Sequence, residues 1–266
     1  MDTMHQLGLL VDAARGHLRY AKHFTPFHLN FELVFIRHGE TFGNCGQISS
    51  FGTIDKEMVA TNIKNYAHRI YQGDVDEQIN QLTELGKQQA INAANNIEQQ
   101  FLNRGWEPDI IFHSPLARAK ETGIPLIERY NLWHKYHVLN DSRELSFGSW
   151  DNRRICDLDD DDACHLFYKD QNALIKSSGF NGSGKYQVAE SFCNLLVRAA
   201  RVLQWLESNY THKKIILFSH SMFGAACCIL LGKGNFVENE DYLAFDGKKS
   251  DGTSYIMPHA EPLKLI

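Results

Sequence analysis

Arg37-His38-Gly39-Glu40 places a permanent cation, an imidazole able to act as a nucleophile, a permissive backbone position and a carboxylate in four successive positions. Two stretches far along the chain, His113-Ser114-Pro115 and Ser219-His220, again put a histidine beside a small polar residue. Arg118 and Glu144 add a second guanidinium and a carboxyl that could move a proton. The chemistry open to such a set is nucleophilic and acid–base attack on an anion. With a net charge of −5 the chain has no global basic field, so an anion must be captured by a local basic site. The 13 histidines leave metal-dependent hydrolysis open as an alternative.

Each of the three histidine-bearing stretches follows an apolar run. Leu33, Val34, Phe35 and Ile36 are too short a run for a helix and rich in strand formers, which suits a strand buried on both faces. Residues 109–112 lead into His113 in the same way, and 215–218 lead into Ser219-His220. Ligands bind at the C-terminal edge of strands in open α/β sheets, so three such strands predict one site along one edge. Between them lie helical patterns. Thr83 is a plausible N-cap for a long helix carrying Leu85, Ala90, Ala93, Ala94, Ile97 and Phe101 on one face. Ser114-Pro115 begins another helix, with Arg118 in its first turn, on or next to the face of Ser114. Phe192, Leu195, Leu196, Ala199, Leu203 and Leu206 define a third, and residues 221–231 a fourth, closed by Gly232. The tail 252–266 reads as edge strand and turn. Strands alternating with long helices predict an α/β layered sheet.

The outlying segments are read as follows. Leu7, Leu10, Val11, Ala14 and Leu18 fall at helical spacing, so residues 1–30 are expected to be a helical extension, docked on its own domain or held by a membrane surface or partner. Residues 45–81 follow the Arg-His-Gly turn directly and must cross or rim the site. Val59, Ile63, Tyr66 and Ile70 suggest one helix there, ended near Gly73, in a lid or specificity insert or a packed loop. Residues 151–187 form a second insert, with acidic residues at Asp157 and 159–162 and a flexible Gly/Ser loop at 177–187. The acidic run lacks the alternation, glycine and closing glutamate of an EF-hand. No apolar run approaches the ~20 residues of a membrane span, and the N-terminus does not read as a signal peptide. The six cysteines show no zinc spacing and are expected to be buried, reduced thiols in a cytoplasmic compartment.

Taken together, Arg37-His38-Gly39-Glu40, the stretch SPLARAKET at 114–122, ELSFGSW at 144–150 and ILFSH at 216–220 resemble the histidine phosphatase superfamily, the phosphoglycerate-mutase-like family. The resemblance runs in order from about Leu33 to Ile256. It implies a single domain over 1–266, a three-layer αβα sandwich with a mostly parallel central sheet. By resemblance His38 is the nucleophile and forms a phosphohistidine. Arg37, Arg118 and His220 bind phosphoryl oxygens, Asn44 is a further contact, and Glu144 is the general acid, then the base for water. Phosphoryl transfer asks mainly for positioning and charge stabilisation, which two arginines supply with no metal or cofactor. Nearby Arg37 and Arg118 also favour neutral His38. Glu40, Glu121 and Asp151 are alternative carboxyls for the role of Glu144, while Phe147 and Trp150 are expected to hold their loop by packing.

Three departures stand out. Ser221 replaces the family's usual Gly after the second histidine, narrowing the phosphate pocket or adding a hydroxyl contact. Asn152 stands where a Gly commonly follows the Trp by two residues. The connection between Thr41 and Thr83 is longer than in compact members. Glycolytic mutases carry Glu-Arg-His-Tyr-Gly and a basic insert. Here Glu144-Leu145-Ser146-Phe147-Gly148 and an acidic run follow the phosphatase form, so hydrolysis of a small phosphorylated metabolite or sugar phosphate is favoured. A mutase-type phosphotransferase and a catalytically silent phosphate-binding module are the alternatives. Expected partners are the substrate alone, with no nucleic acid, in a monomer or homodimer.

Overall fold

The computed structural model describes residues 3–158, 170, 172–174 and 177–266. The strands, in chain order, are β1 Leu9–Asp12, β2 His17–Tyr20, β3 Glu32–Arg37, β4 Ile110–His113, β5 Tyr136–Val138, β6 Gly179–Phe180, β7 Tyr186–Gln187, β8 Lys214–Ser219, β9 Gly234–Glu238, β10 Leu243–Lys249 and β11 Pro262–Lys264. Four longer helices are α1 Glu84–Gln100, α2 Ala117–Tyr130, α3 Phe192–Tyr210 and α4 Ser221–Leu230.

The central sheet has the order β11-β3-β8-β4-β5, parallel except for β11, which runs antiparallel along the β3 edge. Alternation along β3 explains the layers. Leu33 and Phe35 pack with α3 and α4, whereas Val34 and Ile36 pack with Ala93, Ala94 and Ile97 of α1 and Leu126 and Ile127 of α2. A strand covered on both faces must be apolar throughout, and all four residues are fully buried. The expected α/β sandwich with a mostly parallel sheet is therefore what forms.

Register then sets the site. Arg37 pairs with Ser219 and His113 with Phe218, so the next residues, His38, His220 and Ser114, emerge side by side past three neighbouring strand ends.

The N-terminal segment departs from expectation. Apart from Thr3–Gln6 it is not helical. β1 and β2 form an antiparallel hairpin that joins β10 and β9 in a second sheet. Gly8 and Gly16 take left-handed φ of 67° and 61°, which breaks a helix on either side, and Leu18 and Tyr20 alternate inward while Arg19 turns out to Asp12. The 45–81 segment is likewise not one helix. Lys56–Ala60 and a 3-10 turn at Tyr66–His68 are separated by Asn62 at φ 52°, and Ile63 and Tyr66 are exposed. Leu85, assigned to the inner face of α1, is exposed as well. The Gly/Ser loop closes into the β6–β7 hairpin, its turn capped by the Asn181 side chain. The edge strand of the tail lies at β11; Tyr255–Met257 stays a loop instead. Residues 159–162 fall outside the described residues.

Cys45, Cys193, Cys227 and Cys228 are buried free thiols as expected, while Cys156 is exposed. Burial pushes the Cys228 thiol up to about 11. Among the described residues no helix is long and apolar enough to cross a membrane.

Candidate active site

His38 is almost fully buried. Its backbone N–H donates to Ser219 O of β8, and its Nδ1 lies 2.7 Å from Gly39 O. A carbonyl can only accept, so Nδ1 carries the proton and Nε2 presents a bare lone pair. Burial first, then Arg118 and Arg37, hold this imidazole well below its ordinary range, hence neutral. Gly39 is required by contact: a Cβ there would meet Gly86 O at 2.4 Å, and one on Gly86 would meet Glu40 O at 2.0 Å. The two glycines let the start of α1 press against the His38 turn.

His220 is fully buried and its Nε2 lies 2.7 Å from Ser114 Oγ. Ser114 Oγ accepts from Leu116 N–H, and among the described residues His220 Nε2 is the acceptor within reach of its own proton. That pattern assigns the remaining proton of His220 to Nδ1, which is buried and makes no hydrogen bond within the protein. Ser114 thus sets the tautomer that aims a donor at a ligand. Burial, then Arg118, keeps His220 well below its usual range.

Arg118, from the first turn of α2, is wholly buried and donates to Gly73 O and Val75 O at 2.7 and 2.8 Å, leaving Nε–H without a partner. Burial lowers its proton affinity, and Glu144 and Asp76 oppose that. Arg37 donates to Met257 O at 2.6 Å. Asp151 joins the loops: it accepts from Gly73 N–H at 2.7 Å and Phe147 N–H at 3.0 Å. Burial raises it well above the usual carboxyl range.

Glu144 caps α4. Its Oε1 accepts from Leu145 and Phe223 N–H at 2.9 and 3.2 Å, and its Oε2 from Met222 N–H at 3.1 Å. The cap residue His220 gives no side-chain bond to the helix, so this carboxyl satisfies two of its free N–H groups. Burial raises Glu144, and those N–H groups and the two arginines pull the other way. Oε2 accepts only one bond, so it is the oxygen with room for a proton. Buried Arg198 of α3 fixes the segment, donating to Glu144 O, Arg143 O and Asp141 O while paired with Glu190.

A cavity of about 270 Å³ opens here, lined by Arg37, Asn44, Glu144, Ser221 and a wall from the 45–81 insert, namely Tyr66, Arg69, Ile70 and Gln72. His38, Arg118 and His220 are not among the lining residues; the His38 and His220 rings are 5.3 Å apart. Of the carboxyls weighed, Glu144 alone lines the cavity among the described residues. Glu40 is occupied by Lys64 and Thr83 instead. Phe147 both packs on Tyr71 and lines the cavity, which corrects its purely packing role. The described part of 151–187 does not line it.

Asn44 Oδ1 is bonded to Thr41 Oγ, and Ser221 Oγ accepts from Met257 N–H. The Ser221 departure therefore ties the C-terminal loop to α4. Asn152 sits at φ 60°, the left-handed region a Gly tolerates best, and its amide bonds Asn80 and Ser183. Sequence reasoning missed His259, Met257 and Tyr255. They come from a loop with no periodicity to mark it.

Residues 33–239 match the family model of the histidine phosphatase superfamily (branch 1). Over 98% of its length the chain is 34% identical to a mannitol-1-phosphatase of Eimeria tenella, of which it covers 82%. Among solved structures, a mycobacterial glucosyl-3-phosphoglycerate phosphatase matches with a TM-score of 0.50 at 22% identity, over 73% of this chain and 76% of that one. The alpha-ribazole phosphatase of Shigella flexneri matches with a TM-score of 0.51 at 18% identity, over 84% and 98%. At these identities the two structures speak to the fold alone.

Proposed function

The chain belongs to the histidine phosphatase superfamily, and on that premise we propose that it hydrolyses a sugar or polyol monophosphate through a phosphohistidine on His38. It is a phosphatase. The observation that carries the proposal is the bare Nε2 of a buried, neutral His38 set among Arg37, Arg118, His220 and Glu144. In the first step Nε2 attacks phosphorus, the P–O ester bond breaks, and Glu144 gives its proton to the leaving oxygen. The carboxylate then takes a proton from water, whose oxygen attacks phosphorus. The P–N bond breaks and inorganic phosphate departs with Glu144 protonated again.

Arg37, Arg118 and His220 Nδ1–H supply the charge stabilisation that loose phosphoryl transfer requires. If each bond is worth about 1.5 kcal/mol more in the transition state, three give about a 10³-fold rate gain. With these cations in place the reaction calls for no metal. Asn44, Gln72 and Arg69 on the cavity wall offer hydrogen bonds to the hydroxyls of a polyol. Mannitol 1-phosphate is the leading candidate, on the strength of the 34% identical relative. The free buried thiols support a reducing, cytoplasmic setting.

The test is phosphate release from mannitol 1-phosphate, glucosyl-3-phosphoglycerate and p-nitrophenyl phosphate, with EDTA present, by wild type and His38→Ala. Turnover that survives chelator and is lost in the variant is the expected result. Activity that needs added metal, or persists without His38, overturns the mechanism.

A further inference from the structure

A third imidazole stands beside His38. The rings of His259 and His38 are 5.6 Å apart, on a scale with the 5.3 Å between His38 and His220. His259 lines the cavity with Arg37 and Glu144. Its placement is built rather than incidental. Met257 on the same loop accepts from Arg37 and donates to Ser221 Oγ, and Ala260 N–H donates to Arg37 O at 2.9 Å. Ala260 itself is held at φ 54°, a region a residue with a Cβ rarely adopts. His259 Nδ1 lies 2.9 Å from the carbonyl oxygen of His38. That carbonyl can only accept, so Nδ1 bears the hydrogen and Nε2 is bare, the nitrogen left for a ligand.

We propose that His259 contacts the phosphoryl group through Nε2, holding one proton shared with a phosphoryl oxygen. This rests on reading the cavity as the phosphoryl site. A bare nitrogen against an anionic oxygen is a pair of repelling acceptors, and a proton between them converts the pair into a charge-assisted bond. The proton comes from solvent, and no bond to phosphorus changes.

In the free protein, burial and then Arg37 push His259 down to about 3, so it is neutral. A phosphoryl dianion reverses that local field. The charged or titratable groups around it are Arg37 and His38 at the end of β3, Lys64, Arg69 and Tyr66 from the insert, Tyr255 from its own loop and Glu144 across the cavity. His38, His220 and an ionised Glu144 are also able to take up a proton when an anion binds, so the assignment needs a variant at 259.

Asn at position 259 keeps a donor where Nδ1 bonds the His38 carbonyl and deletes Nε2. Inorganic phosphate is titrated calorimetrically into wild type and His259→Asn in two buffers of different ionisation enthalpy, at about pH 8, above the ordinary histidine range. The expected result is close to one proton fewer taken up per phosphate by the variant, with affinity lower by about tenfold, as for loss of one charge-assisted bond. Should the Asn variant not fold, His259→Gln, which offers a nitrogen near the Nε2 position but cannot titrate, must show the same loss of uptake. Unchanged uptake, whatever the affinity, or no uptake by wild type, overturns the assignment. No phosphate binding by wild type, or hydrolysis that survives His38→Ala, sinks the reading of the cavity itself, an outcome distinct from phosphate bound with unchanged uptake.

Discussion

Replacing Glu144 by Gln separates the two proton transfers assigned to this residue. The carboxyl accepts two N–H bonds on Oε1 and one on Oε2. Gln keeps the first pair through its oxygen and sets an amide NH2 against Met222 N–H, so one buried donor loses its acceptor at a cost of about 1–3 kcal/mol. Burial holds Glu144 above its unfolded value. Its contribution to stability is therefore fully present below the unfolded carboxyl pKa and lost as pH rises through the folded one. The Gln variant lacks that dependence, so its deficit in Tm is largest in acid and narrows toward neutral pH.

Catalysis responds differently. Loss of a general acid costs about 10²–10⁴ in rate for an alkoxide leaving group. A nitrophenolate leaves with little help, but water still needs the base. With p-nitrophenyl phosphate the variant should release a burst of one nitrophenolate per protein and then turn over slowly. With mannitol 1-phosphate it should show no burst and a kcat lower by about 10²–10⁴. Wild-type kcat/KM should also fall as pH rises past the raised Glu144 value, because the acid form starts the reaction. Stopped-flow absorbance reads the burst. A variant without a burst on the nitrophenyl ester, or with wild-type kcat on the sugar phosphate, refutes the acid–base assignment.

Three other changes probe how the site is held. Gly39→Ala drives a Cβ to 2.4 Å from Gly86 O, so it should cost about 3 kcal/mol or more and abolish turnover, read by thermal melting and phosphate release. Arg198→Met strips the donors from Glu144 O, Arg143 O and Asp141 O and leaves Glu190 without its partner; a loss of about 3 kcal/mol and a falling kcat are expected from denaturant unfolding and kinetics. At position 152 the left-handed φ predicts that Asn152→Gly melts above Asn152→Ala, by about 1 kcal/mol in stability, and the reverse order would contradict the conformational argument.

Much of the centre was legible because buried parallel strands must be apolar end to end, and their polar residues fall where the strand stops. His38, Ser114 and His220 could be placed from the runs 33–36, 109–112 and 215–218, and pairing of Arg37 with Ser219 brings two of them together. Thr83 caps α1 as expected, through Gly86 N–H. The rest failed for physical reasons. In residues 7–18 the apolar positions fit a helical period and, nearly as well, an alternating one, and the left-handed Gly8 and Gly16 decide for the hairpin. In the insert, Val59, Ile63 and Tyr66 made an apolar pattern, yet all three are exposed. His259 sits between Pro258 and Pro262 with no periodic neighbours, and its bond to His38 spans 221 residues of chain, beyond the reach of local pattern. Asn152 carried a usable signal: a position where the family commonly has Gly is one where a left-handed backbone should be looked for.

The most direct test of the central claim is to mix protein with ³²P-labelled substrate in EDTA, quench in alkali within one turnover, and map the label. The account predicts acid-labile, alkali-stable phosphate on the peptide that carries His38, and none in His38→Ala. Label elsewhere, or hydrolysis by wild type with no labelled protein at any quench time, would contradict it.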